Sequence, residues 1–237
     1  MFVASARSFA TKAAFALFIG FGMFRSFTFV CLLIATFFVG FGVSAQEIVF
    51  EDRFEGSLKP GWVWVRENSA CRRFVNNALE ILTEPFGERE ARNALVRPLN
   101  FLPWQNGGFG SPYRIETECG FVSKPRAQYQ QCGVYWIHDE RIVFKLVFEN
   151  VDGTIYVYPN KVPLNAQGGR LRITVNGQNI LAEFCGLGES SFRRVYEGKI
   201  ECGPNDLISL QCWNGPQKGL DLEQWARFRY FRVEKLN

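Results

Sequence analysis

The sequence predicts an all-β protein: a sandwich of two antiparallel sheets of the jelly-roll kind. Three observations carry this. Apolar residues recur with a period of two rather than 3.6, about a dozen short runs of that kind follow one another, and turn residues separate them. With 47% hydrophobic and 16% aromatic residues in 237, the chain has ample material for a core, which excludes a disordered protein. Twenty-two Gly and ten Pro without a triplet period exclude collagen-like repeats.

The elements follow in order. Strands are expected over 48–54, 62–66, 79–82 and 94–97, the last stopped by Pro98. Over 113–121, Ile115, Thr117, Cys119 and Phe121 point inward while Arg114, Glu116 and Glu118 point outward. Strands over 129–137 and 142–149 are joined by the polar turn His138-Asp139-Glu140, and 153–158 follows the Asp152-Gly153 turn. Asn176-Gly177 between 171–175 and 180–184 is the strongest hairpin signal in the chain. Strands over 192–196, 207–213 and 226–236 complete the series, and 220–224 reads as the one helical turn.

Charge is unevenly spread. Three of the 27 basic residues and none of the 23 acidic ones fall in 1–45, which leaves 24 basic against 23 acidic in the remainder. A nucleic-acid partner is therefore not expected, because phosphate binding needs clustered Lys and Arg. Residues 27–43 are almost wholly apolar, follow Arg25, and end in Val43-Ser44-Ala45. That pattern is a signal peptide cleaved after Ala45, with translation starting at Met23 as the simplest account of the second apolar run over 13–24. The domains expected are thus a signal peptide over 1–45 and a single β-sandwich over 46–237, secreted. The alternative is an uncleaved leader acting as the only membrane anchor.

Six cysteines follow the leader: Cys71, Cys119, Cys132, Cys185, Cys202 and Cys212. An even number in an exported chain permits disulfides, and one or two bridges are expected; several of the thiols would otherwise serve as small buried hydrophobes. No C-x-x-C spacing occurs, and a single His rules out a His-based zinc cluster. No cofactor is expected. A Ca²⁺ site from Asp139, Glu140 and Asp152 is a weaker reading, since no recognisable loop motif supports it.

The segment FEGSLKPGW at 54–62, then WVRE at 64–67, resembles the opening of the concanavalin A-like lectin/glucanase domains related to the C-terminal domain of family 43 β-xylosidases and to the fungal regulation-of-enolase proteins. Further pieces occur in the same order: LEI at 79–81, RNAL at 92–95, QQCGV at 130–134, and Lys145 with Glu149. LRI at 171–173 with Asn176-Gly177, and ARF at 226–228 with Phe231, close the series. The likeness covers roughly 48–235. Departures are Cys132 where Ala is usual, and a longer insertion over 103–113 containing Gly107 to Gly110. The resemblance implies a concanavalin A-like jelly roll whose terminal strands pair.

Sugars offer apolar C–H faces and hydroxyl edges, so exposed Trp, Tyr, Arg, Gln and Glu are natural binding residues. Alternation places Cys132, Val134 and Trp136 on one face and Gln131 and Tyr135 on the other. Phe144, Leu146 and Phe148 are the core face of the next strand, which leaves Lys145 and Glu149 opposite. With Val63 and Val65 inward, Trp64 and Arg66 point outward. Gln131, Tyr135, Lys145, Glu149, Trp64 and Arg66 are therefore the candidate carbohydrate-binding residues, with ordinary cross-strand pairing such as Lys145 with Glu116 or Glu149 as the alternative.

No catalytic residue is singled out. Glu116 with Glu118 and Glu88 with Glu90 are nearby carboxylates, but the E-x-D-x-x-E strand motif of jelly-roll glucanases is absent. His138 reads as a turn residue, and Gly107 to Gly110 lacks the strand–helix context of a phosphate loop. The function expected is a secreted, non-catalytic carbohydrate-binding or carbohydrate-associated module with a glycan as partner. A glycan-active enzyme on the same scaffold and a protein-interaction module are the alternatives.

Overall fold

The computed structural model describes residues 46–84, 92–215 and 223–237. The expected signal peptide over 1–45 lies outside the described residues, as do Glu88, Glu90 and most of the expected helical turn over 220–224. Among the described residues no helix is long and apolar enough to cross a membrane.

Among the described residues, sixteen strands form two antiparallel sheets. The first are β1 (Glu47–Asp52), β2 (Val63–Val65), β3 (Arg72–Phe74), β4 (Leu79–Leu82) and β5 (Ala94–Pro98). Next come β6 (Trp104–Gln105), β7 (Gly108–Phe121), β8 (Gln131–His138), β9 (Arg141–Val151), β10 (Thr154–Tyr158) and β11 (Val162–Leu164). The last are β12 (Gly168–Gly177), β13 (Asn179–Gly186), β14 (Arg193–Lys199), β15 (Leu207–Trp213) and β16 (Trp225–Lys235). The nine-stranded sheet runs β14-β13-β12-β7-β16-β4-β3, with β1 on β16 and β6 on β7. The seven-stranded sheet runs β11-β10-β9-β8-β15-β5-β2.

The expected strands are present, and β3, β6 and β11 are additional. Each addition is two or three residues long, too short for alternation to show. The terminal strands pair as the family resemblance implied, from Glu47 opposite Lys235 to Asp52 opposite Phe231. β16 thus closes the sheet by bonding to β1, β4 and β7.

The core lies between the sheets. Ile115, Leu171, Ile173, Phe228 and Phe231 come from one, and Val134, Trp136, Leu146, Phe148 and Leu210 from the other. The inward residues expected on β7, β8 and β9 are all buried. The six cysteines among the described residues are free thiols, so the expected one or two bridges are not formed. Five of them are buried, and Cys119, Cys132, Cys202 and Cys212 occupy core positions, where they act as small hydrophobic residues.

The outer face of the nine-stranded sheet is closed by ion pairs. Glu116 accepts from Arg172 Nε at 2.8 Å and Tyr230 OH at 2.5 Å, and Glu80 accepts from Arg73 Nε at 2.7 Å and Arg227 Nε at 2.8 Å. The pairing of Lys145 with Glu116 considered from the sequence is excluded, because the two residues belong to different sheets.

Candidate functional site

The outer face of the seven-stranded sheet brings together four of the six candidate residues. Antiparallel register sets Gln131 opposite Glu149 and Tyr135 opposite Lys145. Gln131 Nε2 donates to Glu149 Oε2 at 3.2 Å, and Tyr135 OH donates to Gln131 Oε1 at 2.7 Å. Trp213 Nε1, from β15, donates to Tyr135 OH at 3.2 Å. Lys145 Nζ lies 3.4 Å from Gln131 Oε1 and 4.0 Å from Glu149 Oε2. The result is one polar network spanning three strands.

Its burial departs from the sequence reading. Gln131 is 1% exposed, Tyr135 0% and Glu149 6%, where an open groove surface was expected; Lys145 alone is half-buried. The reason is mutual satisfaction: a polar group can leave water at little cost when each hydrogen-bonding atom finds a partner. Two further side chains on the same face, Ser209 opposite Tyr135 and Gln211 opposite Gly133, are buried, with Ser209 Oγ and Gln211 Oε1 lacking partners among the described residues.

Trp64 faces the other way from expectation. It pairs with Leu95 and packs against the core, with Arg72 5.1 Å from its ring centroid, whereas Val63 is 53% exposed. Burying an indole removes more apolar surface from water than burying a valine, so the three-residue strand turns its larger side chain inward. Arg66 is exposed but lies just beyond β2 at φ 51°, where strand alternation no longer sets direction. β2 is also three strands from β8, roughly 14 Å away, so Trp64 and Arg66 do not join the network.

The structure adds aromatics that the sequence reading did not assign. Tyr156 and Tyr158 alternate on β10 with buried Ile155 and Val157, and pair with Glu149 and Val147 on the outer face. Both are half-buried, and Tyr129 nearby is 42% exposed. Burial pushes the Tyr158 phenol above its usual range, and the neighbouring Glu149, Tyr129 and Tyr156 add to the effect. The signal is legible in the alternation of 153–158, which sets Tyr156 and Tyr158 on the face opposite Ile155 and Val157.

The motif that opens the family resemblance is structural here. Asp52 is buried and accepts from Phe54 N at 2.9 Å, Lys59 N at 2.8 Å and Trp62 Nε1 at 3.0 Å. Trp62 packs edge-on against Phe231, 5.0 Å between centroids, which locks the 54–62 turn onto β16.

His138 is more than a turn residue. Its Nδ1 lies 2.7 Å from Asp206 Oδ1, while Trp136 Nε1 donates to Asp206 Oδ2 at 2.6 Å. Among the described residues no three His, Cys, Asp or Glu side chains come together as metal ligands. Asp152 instead accepts from Gln128 Nε2 at 3.0 Å. Among the described strand residues of the seven-stranded sheet's outer face, Glu149 is the one carboxylate.

Two antiparallel sheets with this strand order define a concanavalin A-like β-sandwich. No family model and no curated protein matches the chain. Solved structures do. A Bacteroides ovatus protein described as xyloglucan PUL GH43B superposes with a TM-score of 0.60 at 12% identity, over 81% of this chain and 40% of its own. A xylan β-1,4-xylosidase from Bacillus halodurans gives 0.55 at 13% identity, over 78% and 38%. A functionally unknown protein from Saccharomyces cerevisiae gives 0.51 at 13%, over 75% and 97%. The chain thus spans about two fifths of the two glycosidase-related chains, and the likeness concerns the fold.

Proposed function

We propose that this chain is a secreted, non-catalytic carbohydrate-binding module whose glycan lies on the outer face of the seven-stranded sheet. The observation that carries this is the composition of that face. Half-buried Tyr156 and Tyr158 adjoin exposed Tyr129, above a polar network in which Glu149 is the one carboxylate among the described residues. Glycoside hydrolysis uses two carboxylates flanking the scissile bond, whereas stacking aromatics with isolated polar groups suit binding without cleavage.

In this reading the tyrosine rings stack on sugar C–H faces and Lys145 reaches ligand hydroxyls. Gln131, Glu149 and Tyr135 hold that lysine and the neighbouring tyrosines in place from below. Ser209 Oγ and Gln211 Oε1 are further groups that a hydroxyl or an ordered water would satisfy. The names of the structural neighbours make xyloglucan and xylan oligosaccharides the first probes. A glycan array on residues 46–237 tests the proposal. Binding that is lost in the Tyr156→Ala, Tyr158→Ala double variant supports it, and a chain that binds no glycan overturns it. Secretion is tested separately, by mass spectrometry of the exported protein for an N-terminus at or near Gln46.

A further inference from the structure

The insertion over 103–113 builds a feature of its own. β6 and β7 form a hairpin across Asn106-Gly107, both at positive φ (51° and 77°), the backbone that an Asn-Gly turn supplies. That turn lies against the β12–β13 turn, whose loop residues are Gly177 and Gln178, one residue beyond the Asn176-Gly177 turn expected from the sequence, because Asn176 pairs with Asn179. A Cβ on Gly108 would sit 2.6 Å from Gly177 Cα, so the two hairpins touch at a position of β7 where a side chain has no room. Beneath them Phe109 is buried, edge-on to Trp104 and Trp136 at 5.1 and 5.9 Å. The two turns border an open, mainly polar depression of about 450 Å³ in which Phe109 is the one aromatic lining residue.

We propose that this cleft is a second saccharide site. Its walls carry Gln105, Asn106, Asn176, Gln178, Asn179 and Lys199, with no carboxylate among the lining residues. The side chains of Gln105, Asn106, Gln178 and Lys199 make no hydrogen bond or ion pair within the described protein, so their donors and acceptors stay available. An amide offers a carbonyl acceptor and two N–H donors from one planar group, which matches neighbouring sugar hydroxyls that each donate and accept. Without a carboxylate the cleft has no counter-charge for a cation. Its ligand is a hydroxyl-rich saccharide end or branch, held by amides with Lys199 as the one charged group, rather than by stacking.

The inference rests on the carbohydrate reading of the chain, and the test separates the two. Residues 46–237, labelled with ¹⁵N, are titrated with neutral xylo-, cello- and xyloglucan oligosaccharides while the Asn and Gln side-chain amide resonances are followed. The expected result is saturable shifts of the Asn106, Gln178 and Asn179 amides. In the Asn106→Gly, Gln178→Ala variant, which keeps the positive φ of the turn, affinity at this site should fall about tenfold, the loss of two ordinary hydrogen bonds. Both substitutions lie on exposed turns, and an unchanged melting temperature shows that the fold is intact. Binding that shifts only Tyr156 and Tyr158 signals, and is unaffected by the variant, overturns the cleft and leaves the module reading standing. If no oligosaccharide shifts any resonance, both fail.

Discussion

The single histidine of the chain, His138, sets its Nδ1 2.7 Å from Oδ1 of the buried Asp206, whose other oxygen receives Trp136 Nε1. The last side chain of β8 thereby anchors that strand to the segment leading into β15. The hydrogen bond to Asp206 raises the His138 pKa above 6.5, with the charges of Asp206, Asp139 and Glu201 adding to it against a smaller effect of burial.

The pH dependence follows from that sign. A histidine whose folded pKa exceeds its unfolded value contributes its full stabilisation below about pH 6.5, and the contribution fades as pH rises through the folded pKa. Replacing His138 with Ala should cost roughly 1–2 kcal/mol at pH 5.5 and markedly less at pH 9. Urea midpoints of both proteins at the two pH values measure this; a gap that widens with pH contradicts the pairing.

Asp52 makes the case for the 54–62 turn. Changing it to Ala leaves the N–H groups of Phe54, Lys59 and Trp62 without their acceptor. A loss of about 2–4 kcal/mol is expected in equilibrium unfolding, since unpaired buried donors carry their full desolvation cost. A loss below 1 kcal/mol would show that the turn holds by packing alone.

On the outer face, structural and exposed tyrosines should separate cleanly. Tyr135→Ala removes a fully buried ring and two hydrogen bonds and should cost about 3–5 kcal/mol. Tyr158→Ala, at a half-buried position, should cost about 1 kcal/mol or less while reducing glycan binding. Thermal melts with parallel binding assays distinguish the two residues.

Deleting 226–237 should abolish cooperative unfolding. It removes all of β16 but Trp225, and with it the bonds to β1, β4 and β7 and the core side chains Phe228, Phe231 and Val233. Calorimetry that still showed a sharp transition near the original temperature would contradict this.

Thiol labelling should be selective. Cys71 is only partly buried, whereas Cys119 and Cys212 lie in the core with thiols pushed well above their usual range by burial, and burial brings Cys202 to about 11. At pH 8 iodoacetamide should modify Cys71 first among the six, slowly because burial raises its thiol too. Peptide mapping before and after unfolding checks the order.

Much of this was legible in the residues. Alternation over 113–121, 131–137 and 142–149 fixed which side chains form the core, because a strand's period of two leaves each residue only one of two faces. The same rule brought Gln131, Tyr135, Lys145 and Glu149 to one surface, where the register sets them side by side. It failed at Trp64, on a strand too short for alternation to outweigh the gain from burying an indole. It also gave no sign of the contact between the Asn106-Gly107 and Gly177-Gln178 turns, some seventy residues apart in the chain.

By itself, then, the sequence determined the fold class, the core faces and the polar character of one sheet surface, since these follow from local periodicity and composition. Only the tertiary structure decided which polar groups are spent on one another and which remain for a ligand. Gln131, Tyr135 and Glu149 satisfy each other across β8 and β9, while Gln105, Asn106 and Gln178 bond to nothing within the described protein. That division depends on distances of about 3 Å between atoms far apart in the chain, set when the strands align and the sheets pack.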